Sequence, residues 1–212
     1  IPTIVSRPQS SNLMNVLVPV IAVILTLLTG SIIFSIMGFN PLFALHTFFI
    51  SPISTSYGIS ELLVKATPLA LIAIGLAFCF KNNIYNIGAE GQLTMGAIFG
   101  GGIGIYFYDT NAFWLLPLMI LGGAIGGALW AMIPALLKTK FNTNEILTSL
   151  MLVYVALLIL DYLVVGPWKD PLGYSFPKTR QFSESGRMPL LFSGLRVHFG
   201  LIITLVLIFF SW

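Results

Sequence analysis

Asn82, Asn83, Asn86, Glu90 and Gln92 fall within one short segment, NNIYNIGAEGQ, that separates two apolar runs, LALIAIGLAFCF (69–80) and LTMGAIFGGGIGIYF (93–107). Carboxamides donate and accept hydrogen bonds at once, which suits sugar hydroxyls or the edges of nucleobases. An ionisable group such as Glu90 in a membrane segment faces the bundle interior, pairs with another group, or marks a substrate path. These five residues are therefore the candidate substrate pathway or hinge. A second reading is purely local. Asn86 would cap a helix starting near Ile87, with Glu90 favourably placed in its first turn and near a membrane edge. Both readings stand at this level.

The elements that must hold the segment are membrane spans. The chain of 212 residues is 57% hydrophobic and 8% charged, with a mean hydropathy of +0.97; soluble domains carry roughly 25% charged residues. A soluble core of this size cannot absorb so much apolar surface. The fold class expected is all-α, a polytopic transmembrane helical bundle. A hydrocarbon core about 30 Å thick needs about 20 apolar helical residues. About six spans meet that pattern: 15–37, 61–81, 87–108, 113–137, 144–165 and 198 onward. Segment 41–53, too short to span and holding two prolines, is expected at the interface or as a lid. Bilayers offer no water to unpaired backbone, so the broken helix at 82–92 must be sheltered by protein or line a cavity.

Arg7, Lys81, Lys138 and Lys140 alternate with segments 38–60 and 109–112, which hold no Lys or Arg, so the N-terminus is expected in the cytoplasm. Segment 166–197 runs against that count with Lys169, Lys178, Arg180, Arg187 and Arg196. Its predicted external position rests on the short early loops, which usually dominate. The chain starts without methionine and stops inside the apolar run LIITLVLIFFSW. It is expected to be a single transmembrane domain over 1–212, truncated at its C-terminal end.

Small residues recur every four positions in the third and fourth spans: Gly96, Gly100 and Gly104, then Gly122 with Gly126 and Gly123 with Gly127. Four residues is just over one turn, so each stripe gives a groove where another helix backbone can approach. Static packing and a moving helix pair are both compatible with it. Asn142 and Glu145 have capping-box spacing at the start of the fifth span. Cys79 is alone in an apolar run, and His46 and His198 are isolated, so no metal site is expected. The sequence contains no G-x-x-x-x-G-K-[ST], G-x-S-x-G or H-E-x-x-H. ATP hydrolysis and membrane hydrolase chemistry therefore have no support, and no catalytic residue is assigned.

NIGAEGQLTMGAI (86–98) resembles the integral-membrane permease subunits of bacterial ABC importers, in the nucleoside and simple-sugar branch of the branched-chain amino acid and ribose-type permeases. Three further stretches are similar to that family: 61–92, KTKFNTNEILTSLMLVYVALLILDYLV (138–164) and GPWKDPLGYSFPKT (166–179). The resemblance covers about residues 60–205 and fits the N-terminal part of such a subunit. It implies a multi-pass protein of the cytoplasmic membrane that works by alternating access. It also implies a second, related permease, a cytoplasmic ABC ATPase subunit that carries the ATP and Mg, and an extracellular substrate-binding lipoprotein met in part by 166–177. The family's ATPase-coupling element is expected beyond residue 212. Outside the resemblance, an ion-coupled secondary transporter, which also uses broken helices, and a non-transporting membrane assembly subunit stay open.

Overall fold

The computed structural model describes residues 12–174 and 176–211, in which the chain folds as seven α-helices with two 3-10 turns at 51–53 and 184–186. Arg7, counted towards sidedness, lies outside the described residues. By contacts the chain divides into two compact units, 1–62 and 63–212.

The first unit holds α1 (Asn12–Ile36) and α2 (Pro41–Phe49). Thr26, Thr29 and Ser31 donate to carbonyls four residues earlier at 2.8 Å. These three hydroxyls are thus satisfied within the helix itself. Asn40 starts α2: its Oδ1 accepts from the backbone N–H groups of Leu42 at 3.0 Å and Phe43 at 3.3 Å, ahead of Pro41 at the first helical position. α2 buries no residue, and Phe48 meets Phe34 of α1 with ring centroids 5.9 Å apart.

α3 (Ser56–Lys81) begins in the first unit, runs through Pro68 and continues into the second, which adds α4 (Ala89–Tyr106), α5 (Leu115–Phe141), α6 (Glu145–Val165) and α7 (Gly200–Ser211). Each of the six expected spans coincides with a helix. Among the described residues four helices, α1, α3, α5 and α6, are long and apolar enough to cross a membrane. α4 has 18 residues diluted by Glu90, Gln92 and its glycines, and α7 has 12.

α4 and α5 pack through their glycines. A β-carbon on Gly96 would stand 3.0 Å from the Gly123 carbonyl oxygen, and one on Gly123 would stand 3.2 Å from the Gly96 oxygen. Gly100 faces the Met119 oxygen at 2.7 Å by the same construction, Gly127 faces the Gln92 oxygen at 3.1 Å, and Gly126 takes the Phe99 side chain. Backbone-to-backbone approach of this kind is what glycine permits and any side chain prevents. On its other side α4 meets α6, where Gly91 lies against the Val153 backbone. Met95, Ile98 and Ala156 form the buried cluster there, flanked by Trp130, whose indole N–H donates to the Leu152 carbonyl at 3.3 Å.

The 166–197 connection folds back over the α4–α5 end. Phe182 lies beside Gly101 and Gly104, and Ser185 Oγ donates to the Thr110 carbonyl at 3.1 Å while accepting from the Ala112 N–H at 3.2 Å. Lys178, Arg180 and Arg187 each have a partner in or beside the loop. Lys178 lies 3.7 Å from Asp170, Arg180 stands 4.7 Å over the Tyr108 ring, and Arg187 donates to Gln181 at 3.0 Å. Contacts within the loop and with Tyr108 thus give these charges a structural reason that is independent of sidedness.

Candidate functional site

The polar segment is the break between α3 and α4, and asparagines close the first helix. Asn83 adopts the left-handed conformation, with φ 56°. Its N–H reaches the Phe80 carbonyl and that of Ile84 reaches Cys79, both at 3.0 Å, which satisfies the last carbonyls of α3. Asn82 Nδ2 donates to the Phe78 carbonyl at 2.9 Å.

The N-terminus of α4 is built differently from the sequence expectation. The helix starts at Ala89 with Gly88 as its cap, so Asn86 is not the cap. Asn86 Oδ1 instead accepts from the Gly88 N–H at 2.9 Å, a tight local turn. Gly88 sits there because a β-carbon would come 2.8 Å from both Cβ and the carbonyl oxygen of Ser149. Ser149 Oγ takes the Ile87 N–H at 3.2 Å, which ties the break to α6.

The Asn86 and Gln92 side chains bond to each other in both directions. Asn86 Nδ2 donates to Gln92 Oε1 at 3.2 Å, and Gln92 Nε2 donates to Asn86 Oδ1 at 3.3 Å. The pair borders two cavities of about 360 and 410 Å³, which share Cys79, Asn86, Gln92 and Ala131. Asn83, Pro134, Thr139 and Ser149 line the first, and Pro68, Ile72, Leu76 and Leu93 line the second. At the rim of the first, Lys138 of α5 lies 3.0 Å from Glu145 of α6.

Of the five candidate residues, Asn83, Asn86 and Gln92 border these cavities. Asn82 and Glu90 are exposed, and Glu90 keeps its place in the first turn of α4. Helix geometry explains the division. Two residues rotate the side chain by about 200°, so a helix that turns Gln92 to the cavity turns Glu90 away. Cys79, Lys138, Glu145 and Ser149 were not foreseen as wall. None of them carried a signal, because they come from α3, α5 and α6 and meet only in the fold. Asn142 is also corrected: it ends α5 with φ 50°, and Asn144 caps α6, accepting from Ile146 N–H at 3.0 Å and Leu147 N–H at 3.4 Å. α5 runs on to Phe141, which leaves Asn142 as the chain reversal that its side chain tolerates.

Carboxamides and hydroxyls set in aliphatic walls can hold a neutral polar solute by hydrogen bonds while its apolar faces meet apolar surface.

The family model described as the permease component of the branched-chain amino acid transport system matches residues 58–212. A glucose ABC transporter permease protein of Haloferax volcanii is 37% identical over 173 residues, covering 82% of this chain and 45% of the relative. A guanosine ABC transporter permease protein of Bacillus subtilis is 31% identical over 206 residues, covering 95% of this chain and 58% of the relative. A nucleoside ABC transporter permease protein of Lactococcus lactis is 33% identical over 150 residues, covering 71% and 41%. The chain thus spans about half the length of the curated relatives it matches. No solved structure matches.

Proposed function

This chain belongs to the permease-component family of the branched-chain amino acid transport systems, and from that premise we propose that it forms part of the membrane subunit of an ATP-driven importer for nucleosides or simple sugars. It is a multi-pass protein of the cytoplasmic membrane. The subunit binds and passes its cargo by alternating access and leaves ATP hydrolysis to a cytoplasmic ABC ATPase partner. A second related permease and an extracellular substrate-binding lipoprotein complete the assembly, with segment 166–177 contributing to the lipoprotein contact. The cargoes for which the relatives are named, glucose, guanosine and nucleosides, support a neutral polar solute.

The observation that carries the reading is the Asn86–Gln92 pair on the wall shared by two cavities. Broken backbone is tolerated at membrane depth where it lines such a space, and the carboxamides supply both senses of hydrogen bond. The test is uptake of radiolabelled guanosine and glucose by vesicles holding the full-length permease with its ATPase and lipoprotein. Accumulation of either cargo that requires ATP is expected. Uptake that proceeds without ATP under an ion gradient would overturn the proposal in favour of a secondary transporter.

A further inference from the structure

The mutual bonding of Asn86 and Gln92 has a defined polarity. The Gly88 N–H donates to Asn86 Oδ1 at 2.9 Å, which fixes the carbonyl side of that amide, and Gln92 must then present its nitrogen to the same oxygen. The result is a closed amide couple in which each side chain offers one donor and one acceptor side by side. Its bonds, 3.2 and 3.3 Å, are longer than the usual 2.9–3.0 Å for N–H···O. Both residues are half-buried and border both cavities, so the couple stands where the two spaces adjoin.

We propose that the Asn86–Gln92 couple is a specificity-determining element that admits cargo carrying an adjacent N–H donor and carbonyl acceptor, the lactam edge of a heterocycle, by exchanging its own bonds for bonds to that edge. The inference rests on the importer reading and names the cargo class within it. A lactam edge has the same donor–acceptor arrangement as a primary amide, so it takes the place of Asn86 opposite Gln92 bond for bond. Asn86 Oδ1 keeps the Gly88 N–H, so only its Nδ2 gives up a partner, on the wall of the cavities. A cargo without that edge separates the couple and leaves its donors and acceptors only partly paired. Sites built to hydrogen-bond a group discriminate against analogues that lack it for this reason. The rest of the second cavity's wall adds little polarity, since Pro68, Ile72, Leu76, Leu93 and Ala131 are all apolar. A polyol would leave hydroxyls facing them, whereas a heterocycle presents flat apolar faces.

Inosine and purine riboside separate the edge from the rest of the molecule, because they share a sugar and a fused ring but only inosine has the lactam. The experiment measures kcat/KM for ATP-driven uptake of each, singly, in vesicles holding the complete importer. Inosine is expected to be favoured about tenfold or more, the effect of about 1.4 kcal/mol of discrimination. Gln92→Met removes the couple's hydrogen bonds and should bring the ratio close to one, a change that altered expression or stability alone does not produce. Gln92→Glu keeps length but turns the donor facing Asn86 into an acceptor, and it should lower the ratio in the same way if Gln92→Met does not assemble. A wild-type ratio near one, or a ratio unchanged in these variants, overturns the inference. ATP-driven uptake of glucose with neither riboside carried also overturns it, while leaving the importer reading in place. Absence of ATP-driven uptake for glucose and both ribosides overturns the two together.

Discussion

Ser149 of α6 accepts a hydrogen bond from the Ile87 N–H at 3.2 Å and donates its own proton to the Ile146 carbonyl at 3.2 Å. Ser149 is 2% exposed, so water does not readily replace its hydroxyl. Removing it leaves the Ile87 N–H without its partner at the point where the chain breaks between α3 and α4. Ser149→Ala is expected to cost about 1–3 kcal/mol, the range for a buried donor left unsatisfied. The measurement is the denaturation midpoint of the detergent-solubilised protein, with protease access at 84–88 as a local readout. An unchanged midpoint and unchanged cleavage would mean that α6 does not anchor the break.

Glycines that share a residue type do not share a role. A methyl on Gly100 would stand 2.7 Å from the Met119 carbonyl oxygen, which belongs to a helix backbone and cannot swing aside. A methyl on Gly75 would meet nothing within 4 Å. Gly100→Ala should therefore separate α4 from α5 and cost about 1–3 kcal/mol, as overpacking does. Gly75→Ala should be neutral or stabilise by up to about 1 kcal/mol through helix propensity. Parallel thermal denaturation of the two variants checks the contrast. Equal effects would sink the close-packing account of the glycine stripe.

The break was legible in the sequence because NNIYNIGAEGQ violates the apolar pattern on both sides, and the α4–α5 contact was legible because glycines at four-residue spacing fall on one helix face. Glu90 drew notice as the one ionisable residue of the segment, yet residue type alone does not say which way a helix turns it. Asn142 and Asn144 both precede Glu145 in a run that reads as a helix start, and the choice between them depended on α5 continuing to Phe141. The cavity wall was the least legible part. Cys79, Pro134 and Ser149 lie on three helices far apart in the chain, and only the fold brings them to one cavity wall.

The Lys138–Glu145 pair joins the end of α5 to the start of α6 at 3.0 Å, with side chains 45% and 21% exposed. At that exposure water and salt screen the attraction, so the pair adds little to stability. Lys138→Gln should lower the unfolding midpoint only slightly, and salt of about 1 M should erase the difference. Unfolding curves at low and high salt read it directly. A larger loss that persists in high salt would mean that Lys138 supports the cavity rim by packing rather than by charge.

Asn142 and Asn144 flank one residue but answer to different constraints, and serine tells them apart. Asn142 holds φ 50°, where residues other than glycine, asparagine and aspartate lose roughly 1–2 kcal/mol. Asn144 is extended, and its Oδ1 caps the first turn of α6. Serine caps helices about as well as asparagine, so Asn144→Ser should be nearly neutral. The same substitution at Asn142 should cost about 1 kcal/mol or more, because serine has no such tolerance for left-handed backbone. Glycine should be accepted at both positions, at 142 for its conformational freedom and at 144 as a weaker cap with a loss of a few tenths of a kcal/mol. Denaturation midpoints of the four single variants give the pattern. If serine is harmful at 144 and harmless at 142, Asn142 is the cap after all, and the boundary between α5 and α6 lies elsewhere.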